Sequence, residues 1–139
     1  MIFRAHNTTS PATVTVKTKE QMPTHSETRT LPYTAQQMYD LVADVANYPK
    51  FLPWTAAARI RSREDRGDHM EMLADLVISF KVFRERFGSR VVLWPEQQKI
   101  DTEYLDGPFR HMHSNWAFKD VDDGVEVTFF VDFEFKNRI

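Results

Sequence analysis

The sequence contains no cysteine. That excludes disulfides, thiolate nucleophiles and cysteine-ligated metals, and it leaves the redox compartment open. An excess of one charge is also lacking: 18 Lys and Arg stand against 20 Asp and Glu, for a net charge of −2. No global basic field draws the chain to DNA or to an anionic membrane. No apolar run approaches the roughly 18–20 residues of a membrane-crossing helix. The Gly-x-Ser-x-Gly elbow, the phosphate-binding loop and the His-Glu-x-x-His zinc motif are absent as well, so no hydrolase or nucleotide signature is present. Aromatic residues with a polar handle are few, with four Tyr and three Trp against eleven Phe. Phe has no polar atom, so this bias favours a dry interior.

The 139 residues, 42% of them hydrophobic, suffice for one domain with a single core. Residues 1–26 are rich in Thr and Ser, hold Pro11 and Pro23, and lack periodicity. They read as a flexible tail before a domain over 27–139. Arg4, Lys17 and Lys19 against the single acid Glu20 give the tail a weak likeness to an organelle transit peptide. Alternatively, Met22 is the natural start.

Residues 27–31 predict a first strand closed by Pro32. Thr34 followed by Gln37 is a capping-box pattern, and Met38, Leu41, Val42 and Val45 form one apolar helical face. Pro49 ends that region, with a turn or second short helix over 47–50. From Trp54 the period becomes two. Residues 57–66 alternate; Gly67-Asp68 turns the chain; Met70, Met72, Ala74, Leu76, Ile78 and Phe80 then share a face. Phe83, Phe87, Val91 and Leu93 line the next strand, with Arg84, Arg86 and Arg90 on its other side. Ile100, Thr102 and Tyr104 mark another strand. Met112, Trp116 and Phe118 follow the Asp106-Gly107-Pro108 turn, and Val125 to Phe135 alternate after Asp122-Asp123-Gly124. The expectation is an α+β domain: a curved antiparallel sheet of six to seven strands, with short helices after the first.

The inner-face residues Met72, Leu76, Phe83, Phe87, Val91, Met112, Trp116, Phe129 and Phe133 are the candidates for contacting an apolar ligand. Phe51 and Trp54, beside Pro49 and Pro53, would form a rigid lip where a lipid enters or a membrane is touched. Glu85 is in phase with Phe83 and Phe87, so it either points into a cavity and meets a ligand oxygen, or faces outward because a hairpin near 79–81 shifts the phase. His111 and His113 share a strand side, but no cysteine or acid close in sequence completes a metal set. The Arg84, Arg86 and Arg90 ladder fits headgroups, ribosomal RNA or plain ion pairing. No catalytic constellation and no metal site emerge.

Four blocks in order carry a resemblance: Tyr48-Pro49-Lys50-Phe51-Leu52-Pro53-Trp54, Phe83-Arg84-Glu85-Arg86-Phe87, Asp106-Gly107-Pro108-Phe109 with Trp116-Ala117-Phe118, and Val131-Asp132-Phe133-Glu134-Phe135-Lys136-Asn137. Over 27–139 the chain resembles the coenzyme Q-binding branch of the START-like (polyketide cyclase/dehydrase) superfamily. The resemblance implies a helix-grip fold, with a sheet wrapped around a C-terminal helix and a hydrophobic cavity between them. It further implies a non-enzymatic carrier or chaperone for ubiquinone or a related polyprenyl lipid. Such a carrier supports respiration and quinone synthesis without a cofactor of its own. The expected setting is the bacterial cytoplasm or inner-membrane periphery, or the matrix side of the mitochondrial inner membrane. A toxin-like inhibitor of ribosomal subunit association is the alternative within the same family, and a polyketide cyclase-like enzyme using Glu85 and Tyr104 is another. Two departures stand out. Thr55 occupies a position where many members carry Cys, and the sequence stops where the grip helix would begin, which leads us to expect self-association or a longer natural protein.

Overall fold

The computed structural model describes residues 24–136, apart from the side chains of Phe80 and Phe83. The expected tail therefore lies outside the described residues except at its end, where the first strand already begins. That strand, β1 (Thr24–Leu31), starts three residues earlier than the sequence pattern indicates. It pairs antiparallel with the last strand from Thr24↔Asp132 to Leu31↔Val125. Its inner-face positions His25, Glu27 and Arg29 are polar and half-buried, opposite Val131, Phe129 and Val127. A strand whose buried side carries charge gives no apolar alternation to read.

The other strands are β2 (Thr55–Asp65), β3 (Met70–Phe80), β4 (Phe83–Trp94), β5 (Lys99–Asp106), β6 (Phe109–Val121) and β7 (Gly124–Phe135). They form one antiparallel seven-stranded sheet in the order β1-β7-β6-β5-β4-β3-β2. Six strands thus meander through short turns, and β1 closes the edge beside β7. Because β1 and β2 lie at opposite edges, the chain between them has to cross the sheet. It does so with α1 (Ala35–Ala43), a 3-10 turn (Val45–Asn47) and α2 (Tyr48–Phe51).

The capping box at the start of α1 is formed as the sequence indicates. Thr34 Oγ1 accepts from the Gln37 N–H at 3.0 Å, and Gln37 Oε1 accepts from the Thr34 N–H at 2.9 Å. A third contact ties the helix to the sheet, with the Ala35 N–H donating to Asp120 Oδ1 at 2.8 Å. Met38, Tyr39 and Val42 are buried against the sheet, and the 3-10 turn keeps Val45 buried after the α-helix has ended. Pro49 sits in the first turn of α2, where its missing N–H leaves no bond unmade. The Tyr48 hydroxyl donates to the Val42 carbonyl at 2.6 Å and locks the two helices together. Burial, with the nearby Asp44 carboxylate, raises the Tyr48 pKa far above a phenol's ordinary value, so that donor stays protonated.

Inner faces from β3 to β7 supply the core: Met72, Ala74, Phe87, Val91, Ile100, Met112, Phe118, Val125, Val127, Phe129 and Val131 are buried. Phe109 anchors an aromatic cluster, with its ring centroid 5.6 Å from Phe87, 5.4 Å from Tyr104, 5.9 Å from Phe133 and 5.0 Å from Phe135. β7 is the last described element, and no grip helix follows it among the described residues.

Candidate functional site

Between the crossing helices and the concave sheet lies a cavity of about 480 Å³. That is within the range of small-molecule sites. Met38, Leu41, Val42 and Val45 wall it from the helix side, Leu76, Ile78, Phe87 and Val91 from β3 and β4, and Met112, Trp116, Phe129 and Val131 from β6 and β7. Trp116 leans on Phe129 with ring centroids 4.4 Å apart. No Asp, Glu, Lys, Arg or His is among the described lining residues.

The structure brings Phe51, Trp54, Leu76, Phe87, Val91, Met112, Trp116 and Phe129 together on this wall. Phe51 is exposed at its edge, and Trp54 is half-buried. Met72 and Phe133 are buried elsewhere, Phe133 against Phe109, so neither lines the cavity. The side chain of Phe83 lies outside the described residues. Glu85 is exposed and off the cavity wall. Neither expectation for its orientation holds. Ile78↔Glu85 continues the register of Leu76↔Phe87, so the phase does not shift at the hairpin; Glu85 stays exposed although Ile78 opposite it lines the cavity.

Sequence reasoning missed the polar part of the wall: Thr55, Ser89, Thr102 and Ser114 all line the cavity. It also missed the donor on Trp54. The buried indole Nε1 has no hydrogen-bond partner among the described residues. Thr55, at the position where many members of the resembled family carry Cys, is buried in the same wall. Tyr104, suggested for a cyclase role, is not a lining residue. Its hydroxyl accepts the Phe109 N–H at 3.1 Å, and desolvation is the main reason its pKa is raised.

On the outer face, the arginine ladder is largely paired. Arg86 bridges Asp75 at 2.5 Å and Asp106 at 2.7 Å, Arg61 reaches Asp75 at 3.1 Å, and Arg90 reaches Glu103 at 2.6 Å. The Arg86 hydrogen bond holds the Asp106 carboxyl below its usual pKa. His111 does approach acids, Asp132 at 3.5 Å and Glu134 at 3.8 Å, which are brought in from β7 rather than from nearby sequence. Even so, no group of three metal-ligating side chains occurs among the described residues. Nor is any helix among them long and apolar enough to cross a membrane.

Residues 31–139 match the family model described as polyketide cyclase / dehydrase and lipid transport. The chain belongs to this START-like family. It is 37% identical over 121 residues to the ribosome association toxin RatA of Rickettsia prowazekii, covering 85% of this chain and 80% of that protein. It is 34% identical over 112 residues to the mitochondrial coenzyme Q-binding protein COQ10 of Drosophila melanogaster, covering 77% of this chain and 44% of the relative. A solved START superfamily protein from Mycobacterium smegmatis superimposes with a TM-score of 0.71 at 18% identity, over 84% of this chain and 79% of that one. That similarity establishes the helix-grip type of fold.

Proposed function

We propose that this protein binds ubiquinone or a related polyprenyl lipid in the cavity and carries or chaperones it without chemical conversion. The observation behind this reading is a space of about 480 Å³ whose described lining is mainly apolar and carries no charge. Binding there draws on buried apolar area, at about 25 cal/mol per Å² before entropy costs. The coenzyme Q-binding name of one relative supports the choice of lipid. Exposed Tyr33, Leu41 and Phe51 at the cavity edge suit transient contact with a membrane surface, as a carrier requires. The test is organic extraction of protein expressed in quinone-producing cells, followed by mass spectrometry. A near-stoichiometric quinone or polyprenyl precursor is expected, and an empty extract overturns the reading.

A ribosome-directed role is the second reading, favoured by the 37% identity to a protein named ribosome association toxin. Pairing of Arg86 and Arg90 with acids weakens the basic surface it calls for. Co-sedimentation with ribosomal subunits that falls as salt rises would support it.

A further inference from the structure

Within the cavity, polarity runs opposite to that of a protein surface. Its exposed lining residues are Tyr33 at 44%, Leu41 at 42%, Phe51 at 38%, and Gln37, whose Oε1 is taken up by the Thr34 N–H. Its most buried polar residues are Ser89 at 1%, Thr55 at 4% and Ser114 at 8%. Three of the four rim residues are thus large and mainly apolar, and the floor carries hydroxyls.

Two of those hydroxyls, on Ser89 and Ser114, are neighbours by register through a third, on the half-buried Thr102. Thr102 on β5 stands directly opposite Ser114 on β6, and it stands opposite Val91 on β4, two residues beyond Ser89. Side chains directly opposite in a sheet share a face with Cβ atoms about 5 Å apart, and diagonal ones remain within reach. Ser89, Thr102 and Ser114 therefore form a stripe across three adjacent strands. The Ser89 hydroxyl reaches only the Ala74 carbonyl, at 3.4 Å, which is long for an O–H bond. Trp54 Nε1 adds a donor with no partner among the described residues. Charged groups on the concave face lie off the cavity wall: Glu85 at the end of β4, Asp120 under the start of α1, and Glu27 and Arg29 on the β1 edge beyond Phe129 and Val131. There Glu27 is taken up by His25 at 2.9 Å and Arg29 at 3.4 Å.

We infer that the cavity seats a neutral, oxygen-bearing head group on the Ser89–Thr102–Ser114 stripe and lets the ligand's apolar tail leave over the Tyr33–Leu41–Phe51 rim. The inference rests on the lipid-binding reading above and adds head-group class and orientation. A carboxylate or phosphate on the floor would be buried with no counter-charge in the wall, at a large desolvation cost. A pure hydrocarbon would leave the hydroxyls facing an apolar surface. A neutral carbonyl, alcohol or ether meets both conditions, because hydroxyls donate and accept. The volume also fits a head and a short length of tail, so a long polyprenyl chain has to continue outside.

The test titrates the full chain with three fifteen-carbon isoprenoids, farnesol, farnesene and farnesoic acid, at pH 8. Quenching of the wall residues Trp54 and Trp116 reports binding. Farnesol is expected to bind at least about tenfold tighter than the other two. The double variant Thr102→Val/Ser114→Ala should lose that preference and bind farnesene at least as tightly as the wild type does, which also reports that it folds. Ser89→Ala provides a milder version. Equal affinities in the wild type, or a variant that still prefers farnesol, overturn the inference but leave lipid binding standing. Tightest binding by farnesoate overturns it too and points to the His25–Glu27–Arg29 edge. If none of the three binds, the lipid-binding reading falls with it.

Discussion

A buried indole N–H without an acceptor, as at Trp54 Nε1, costs about 1–3 kcal/mol in the unliganded protein. A ligand oxygen that reached it would recover part of this. Trp54→Phe keeps an aromatic ring in the wall and deletes the donor. Quinone affinity should fall about three- to tenfold, as expected for one neutral hydrogen bond, with little change in the urea midpoint of the unliganded protein. An unchanged affinity would remove Trp54 from the ligand's polar contacts. Gly124, at the β6–β7 hairpin, makes a purely structural contrast. Its φ is +150°, and a Cβ there would run into the Leu31 carbonyl oxygen of β1. Gly124→Ala should therefore destabilise by about 2–3 kcal/mol in urea unfolding, through backbone strain and displacement of the edge strand.

The α1 helix links fold to site, because its inner residues are also cavity wall. Its start is fixed by the Thr34–Gln37 box and by Asp120 reaching up from β6. Thr34→Ala should cost about 1 kcal/mol in chemical denaturation, the ordinary loss for a helix cap. The outer ladder behaves differently because it is exposed. Arg86 lowers the pKa of Asp106, so the pair favours the folded state above an ordinary carboxylate pKa, and that contribution disappears as pH falls through the lowered folded value. Urea midpoints from pH 7 down to pH 3 should show an acid limb that flattens in Arg86→Gln and shrinks with added salt. Identical limbs in both proteins would mean the pair is solvated away.

For the whole molecule, the two functional readings differ in how they respond to salt. A charge-free cavity gives binding that varies little with ionic strength, whereas docking on ribosomal RNA weakens steeply. A short-tailed ubiquinone analogue at 100 times its Kd should raise the unfolding free energy by about 2.7 kcal/mol, at low and high salt alike. No shift at saturating analogue would count against the carrier. The topology also explains why the cavity lies where it does. A connection that runs from one edge strand to the opposite one must cross the concave face, and short helices carrying Leu41, Val42 and Val45 bridge the curvature without filling it.

Local chemistry in the sequence determined much of this. Apolar alternation placed the inner faces of β3, β4 and β7, turn residues set the hairpins, and the capping box set the start of α1. The same alternation, with the family resemblance, picked out Leu76, Phe87, Val91, Met112, Trp116 and Phe129, because a residue facing a cavity is as apolar as one facing a filled core. Tertiary structure decided what alternation cannot carry. Glu85 keeps its phase yet is exposed, since phase gives a side and not the depth of cover above it. β1 is longer than its pattern because its pairing with β7 is made by backbone, which side-chain polarity does not report. Ser89, Thr102 and Ser114 are far apart in sequence and unremarkable singly. Only the register of three strands makes them neighbours, and only the crossing helices make the space they face a cavity.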